Sequence, residues 1–128
     1  MKVVINSCHG GFGLSKEAML RYAELKGIKL FVHEEDGHFF EHYTLVPWEE
    51  YERVARTKNY KESNKLYFSD RNIPRNDPVL IQVVEELGKK VNSRFSKLKI
   101  VKIPDNIEFQ IEEYDGLEWV AEKHRTWS

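Results

Sequence analysis

An α/β fold is predicted for this chain, a single domain over residues 1–128 with a mixed β-sheet of roughly four to six strands and two or three helices. Three observations predict it. The β-branched run Val3-Val4-Ile5 leads through a glycine-rich break, Ser7 to Gly13, into apolar residues at helical spacing. Asp77-Pro78 marks a helix start, with a capping carboxylate followed by a proline where no amide partner is needed. The last third alternates apolar and polar residues, as half-buried strands do.

Taken in order, Lys2–Asn6 reads as a buried strand. From Leu14 to Lys26 the positions Leu14, Ala18, Met19, Tyr22 and Leu25 mark a helix that Gly27 stops. Ile28–His33 is a second strand. Strand, glycine loop, helix and strand together predict a Rossmann-like unit whose crossover makes the two strands parallel. Glu34–Gly37 is an acidic turn and Phe39–Leu45 a short strand. Pro47 fits the first turn of a helix to about Arg56, with Trp48, Tyr51, Val54 and Ala55 as its apolar positions. Thr57–Lys65 is polar and reads as a connection, and Leu66–Ser69 as a strand. The helix after Asp77 buries Val79, Leu80, Val83, Val84, Leu87 and Val91. Leu98–Ile103 is a strand ended by Pro104-Asp105, and Ile107, Phe109 and Ile111 predict another to about Glu113. Asp115-Gly116 is a turn. Beyond it, Leu117, Val120, Ala121 and His124 fit a helix, whereas Asp-Gly between alternating runs fits a hairpin; the hairpin is preferred and the helix stays open.

The composition, 41% hydrophobic and 32% charged, supplies a core and excludes a disordered chain. No apolar stretch approaches the roughly 20 residues that span a bilayer, and the N-terminus lacks a signal-peptide pattern; the expectation is a soluble, cytoplasmic protein that does not engage membranes. A single cysteine, Cys8, fits a reducing compartment. The net charge of −1 hides segregation: residues 1–52 hold 5 Lys/Arg against 9 Asp/Glu, residues 53–102 hold 13 against 5, and residues 103–128 hold 2 against 7. A basic middle between acidic ends complements anions such as phosphates, or else the three segments neutralise one another. Whole-chain neutrality argues against non-specific nucleic-acid binding.

The glycine loop is the candidate site. Glycine lets a backbone approach a ligand closely, and a first helical turn offers unpaired amides and partial positive charge to an anion. Gly10, Gly11 and Gly13 form the loop, Ser15 stands at the helix entrance, and Asn6 and Ser7 sit at the carboxyl end of the strand, where ligands of open α/β sheets bind. Glu34, about 20 positions on, is placed to meet a ribose hydroxyl, although Lys16 stands where a dinucleotide fingerprint has its third glycine. The loop has no Gly-Lys-Ser/Thr, and Leu14 replaces the arginine of a phosphatase loop. A tight turn with no ligand is the competing reading. Arg71 and Arg75, before the third helix, are candidate auxiliary cations, with Arg75 pairing to Asp77 or to the acidic C-terminus as the alternative. His33, His38 and His42 miss the zincin spacing by one residue, so no metal is expected. Cys8 and His9, adjacent on extended chain, point apart and make a poor nucleophile–base pair. Trp127 either stacks on a base or pins the terminus to the core.

Val4–Ser15 (Val-Ile-Asn-Ser-Cys-His-Gly-Gly-Phe-Gly-Leu-Ser), Arg75-Asn76-Asp77-Pro78 with Val83–Gly88, and Tyr114-Asp115-Gly116 with His124-Arg125-Thr126-Trp127 together resemble a family of small bacteriophage proteins. The resemblance spans nearly the whole chain, and the family carries no established reaction. His9 stands where that family is expected to have Phe or Tyr. By analogy alone, the resemblance implies a host-cell cytoplasmic protein whose nucleotide-like cleft captures a host signalling nucleotide.

The sequence thus points to binding of a small phosphorylated ligand, a nucleotide foremost, with no cofactor; a homo-oligomer is compatible with it, and catalysis is left open. One alternative is a nucleotide-processing hydrolase or glycosidase using Glu34 or Glu118. Another is a module that binds a host protein through Phe39, Phe40 and Trp48.

Overall fold

The computed structural model describes residues 1–34 and 41–123. Its elements run β1 (Lys2–Asn6), α1 (Lys16–Lys26), β2 (Phe31–Glu34), β3 (Glu41–Thr44), α2 (Trp48–Arg56), α3 (Tyr60–Leu66), α4 (Pro78–Leu87), β4 (Leu98–Lys102), β5 (Phe109–Tyr114) and β6 (Leu117–Glu122), with 3₁₀ turns at Asp70–Asn72 and Gly88–Val91. The α/β class holds. No helix among the described residues is long and apolar enough to cross a membrane.

The strands form three antiparallel ribbons, β1–β4, β2–β3 and β5–β6, in place of the expected mixed sheet. β1 and β2 lie in different ribbons, so the parallel Rossmann-like unit does not form. The reason lies in β1 itself. One edge pairs with β4, from Lys2 opposite Lys102 to Asn6 opposite Leu98. The other edge is closed: Val4 N donates to Arg75 O (2.8 Å), Arg75 Nη1 donates to Val4 O (3.3 Å), and Asn6 N donates to a Glu118 carboxylate oxygen (2.8 Å). β2 pairs with β3 instead, Val32 opposite Tyr43 and His33 opposite His42. The preferred hairpin at Asp115-Gly116 is present as β5–β6, with Tyr114 opposite Leu117.

The core is built where helical and strand periodicities meet. Ala18, Met19 and Tyr22 of α1 cluster with Leu80, Val83 and Val84 of α4, with Val4 of β1 and with Tyr43 of β3. Ser15 caps α1, its hydroxyl accepting from Ala18 N, and Gly27 ends the helix in the left-handed conformation. Asp77 caps α4 through Val79 N and Leu80 N, accepts the Tyr22 hydroxyl at 2.7 Å, and pairs with Lys26 at 3.2 Å, fastening the end of α1 to the start of α4.

The stretch Thr57–Lys65, expected to be a connection, contains α3. Ser63 is its only buried residue, so no apolar period announces it; the Asn59 side chain, accepting from Glu62 N, starts it. Leu66–Ser69 is correspondingly no strand: Leu66 closes α3, and Tyr67 forms a single antiparallel bridge with Thr44.

Candidate functional site

The residues singled out at the glycine loop divide into two groups. The first forms a closed joint. Asn6 is fully buried; its amide donates to Cys8 O (2.6 Å) and Gly116 O (2.8 Å), and its carbonyl oxygen accepts from Lys97 N (2.8 Å). Ser7 donates to Lys97 O through both its amide and its hydroxyl. Arg75 grips Glu118 with two parallel bonds of 2.6 and 2.8 Å, and its guanidinium lies 3.6 Å from the centre of the Phe12 ring. The alternative reading of Arg75, a pair with the acidic C-terminal segment, is therefore the observed one, and Asp77 is engaged elsewhere. Glu118, 8% exposed, accepts from Arg75 and from Asn6 N. The turn of the β5–β6 hairpin sits directly on the loop: a Cβ on Gly116 would lie 2.6 Å from both Gly11 N and His9 O.

The second group faces a cleft of about 590 Å³. Gly10, Gly11, Gly13, Ser15 and Arg71 line it, whereas Asn6, Ser7, Glu34 and Arg75 do not. Its other walls come from Glu41 and Tyr43 on β3, from Tyr67–Asp70, and from the segment Asn92–Phe95. This volume suits a small ligand. The loop is clamped against that last segment: a Cβ on Gly10 would come within 1.7 Å of Phe95 O, and Ser96 donates to Gly13 O at 2.7 Å.

Not every amide at this bend awaits an outside anion. Leu14 N donates to Asp70 at 3.0 Å, Ser15 N to Val91 O at 2.9 Å, and the Ser15 hydroxyl is spent between Ala18 N and Lys90 O. An internal carboxylate thus stands where the sequence pointed to a ligand's phosphate. The amides of Gly10, Gly11, Phe12 and Gly13 take no acceptor among the described residues. Glu34 binds Lys16 at 2.6 Å; that bond holds the Glu34 carboxyl below its ordinary value and raises the Lys16 ammonium above its own. Burial, reinforced by the charges of Glu41, Asp70 and Glu34, pushes the Tyr43 phenol up, so it is neutral at any physiological pH. Arg71 has no ionic partner among the described residues.

The other candidates make contacts within the fold. Cys8 is half-buried, its thiol directed to Asn6 Oδ1 (3.4 Å) and Phe95 O (3.3 Å), while the His9 ring turns to Asp115 O (3.3 Å). His33 and His42 pack on Trp48 with ring centres 4.0 and 5.2 Å away, so Trp48 is a half-buried element of an aromatic stack rather than a protruding anchor. Among the described residues no group of three or more His, Cys, Asp or Glu is arranged to hold a metal. His38, Phe39, Phe40 and Trp127 lie outside the described residues.

Comparison of the chain with protein-family models, with curated proteins and with solved structures gives no match. The functional reading therefore rests on the cleft.

Sequence reasoning missed Glu41, Tyr43, Tyr67, Phe68, Asp70, Arg94 and Phe95 as lining residues. One signal pointed to part of this set: Phe95 is an aromatic residue inside the polar run Asn-Ser-Arg-Phe-Ser-Lys, and it is 54% exposed.

Proposed function

We propose that the protein binds a small phosphorylated ligand, a nucleotide, in the cleft between the glycine loop and the segments Tyr67–Arg71 and Asn92–Phe95. The observation that carries this reading is the lining itself: the aromatic residues Phe12, Tyr67, Phe68 and Phe95 line a space of about 590 Å³, with Arg71 at its border lacking an ionic partner among the described residues. Aromatic faces stack a base, and an arginine fork pairs with phosphate oxygens. The phosphate belongs at Arg71 and the amides of Gly10–Gly13, since Asp70 already holds the Leu14 amide.

Capture without turnover is the mode favoured. Glu118 is bound by Arg75, and Glu34 by Lys16; Lys16 lines the cleft, but neither carboxylate proposed for hydrolysis does. The test is calorimetric titration with a panel of nucleoside monophosphates and cyclic nucleotides, followed by chromatography of the recovered ligand. Binding with the ligand returned intact is expected. Turnover abolished by a cleft carboxylate variant would replace capture with catalysis, and no heat from any nucleotide would remove the reading.

A further inference from the structure

The cleft holds polar groups that a phosphate leaves unsatisfied. Tyr43 is 8% exposed and lines the cleft, the charges of Glu41 and Asp70 act on its phenol, and its hydroxyl finds no hydrogen-bond partner among the described residues. Asp70 is fixed by one oxygen on Leu14 N, 3.0 Å away, and its second oxygen has no described partner. The carboxylate of Glu41, half-buried on the same strand as Tyr43, makes no hydrogen bond among the described residues. An ionised carboxylate only accepts hydrogen bonds, and a phosphate brought against it is repelled. Two such acceptors beside a hydroxyl able to donate therefore call for a ligand edge that presents one acceptor and adjacent donors.

Among the common bases one edge has that order. Guanine offers its O6 acceptor next to the N1–H and 2-amino donors. Adenine places an acceptor nitrogen beside its amino group, cytosine offers one donor and two acceptors, and uracil flanks its single donor with acceptors. Building on the nucleotide reading above, we infer that the cleft selects a guanine-type base, with the Tyr43 hydroxyl donating to the carbonyl oxygen and Asp70, assisted by Glu41, accepting from the ring N–H and the 2-amino group. The sugar phosphate then runs outward to Arg71, which separates the negative end of the ligand from the carboxylates.

The experiment compares GMP, IMP and AMP by calorimetry on the full chain. GMP binds at least about tenfold more tightly than AMP, and IMP, which lacks the 2-amino group, falls between them. Asp70→Asn preserves an acceptor for Leu14 N and brings GMP and AMP to within about threefold of each other. Tyr43→Phe removes a hydroxyl with no partner among the described residues, so it leaves the melting temperature in place while weakening GMP and IMP and sparing AMP. GMP and AMP binding equally to the wild type overturns the guanine edge while leaving nucleotide binding intact. Asp70→Asn tightening every nucleotide alike also overturns it, making Asp70 a mere competitor for phosphate. No binding of any nucleotide removes both readings. A 5′-phosphorylated GpU dinucleotide distinguishes the source: affinity equal to GMP assigns the free mononucleotide, a gain above about tenfold assigns a strand end, and both uphold the guanine edge.

Discussion

The two ends of the segment from Asn6 to Gly13 lie only a few residues apart and are put to opposite uses. At the strand end, Asn6 and Ser7 have every side-chain polar group bonded to the protein, sealed under Gly116 and the Arg75–Glu118 pair. At the helix end, Gly10 to Gly13 face a cleft with amides that no described residue accepts from. The difference teaches where stability and binding reside. Saturated polar groups at the joint lock the chain, and unsaturated ones at the cleft are left for a ligand.

Substitutions sharpen that contrast. The largest loss of stability is expected from Glu118→Ala, which strands the Arg75 guanidinium in a half-buried site: about 3–5 kcal/mol in denaturant unfolding. Gly116→Ala comes next, at about 2–4 kcal/mol, because its Cβ meets backbone atoms at 2.6 Å and its φ of 86° strains any side chain. Asp77 adds a pH signature. Burial opposes its charge, but hydrogen bonds from Tyr22, Val79 N, Lys26 and Leu80 N outweigh burial and hold the carboxyl below its ordinary 3.8. Its stabilisation is complete above that ordinary value and is lost as pH falls through the lowered one. Asp77→Asn should therefore cost most near neutrality, about 1 kcal/mol, and progressively less as unfolding is followed down to about pH 2. The smallest stability effect belongs to Arg71→Ala, within about 0.5 kcal/mol, with nucleotide affinity falling about tenfold. A large melting shift for this variant would erase the distinction between joint and cleft.

Much of the fold was legible in local pattern. Ser15 and Gly27 bracket α1, Asp77-Pro78 opens α4, and Asp115-Gly116 turns the last hairpin, because caps and turns depend on a few neighbouring residues. Strand partnership was not legible, since it depends on residues far along the chain: nothing near β1 announces that Arg75 and Glu118 will occupy its second edge. The α3 helix escaped because it is polar on nearly all sides. The site was half legible. Glycines mark where backbone and ligand can approach, and Gly10, Gly11, Gly13, Ser15 and Arg71 do line the cleft. Its aromatic and acidic walls are scattered over β3, Tyr67–Asp70 and Asn92–Phe95, and only the tertiary fold gathers them.

The closure of β1 by Glu118 spans 112 positions of sequence. The second edge of β1 is thus finished in two stages, at Val4 by Arg75 and at Asn6 by Glu118, and the later one waits for the β5–β6 hairpin. A chain cut before that hairpin leaves the Asn6 end of the edge as a template for pairing with its neighbours, so fragments lacking β5–β6 should clump during expression more than the chain that carries it.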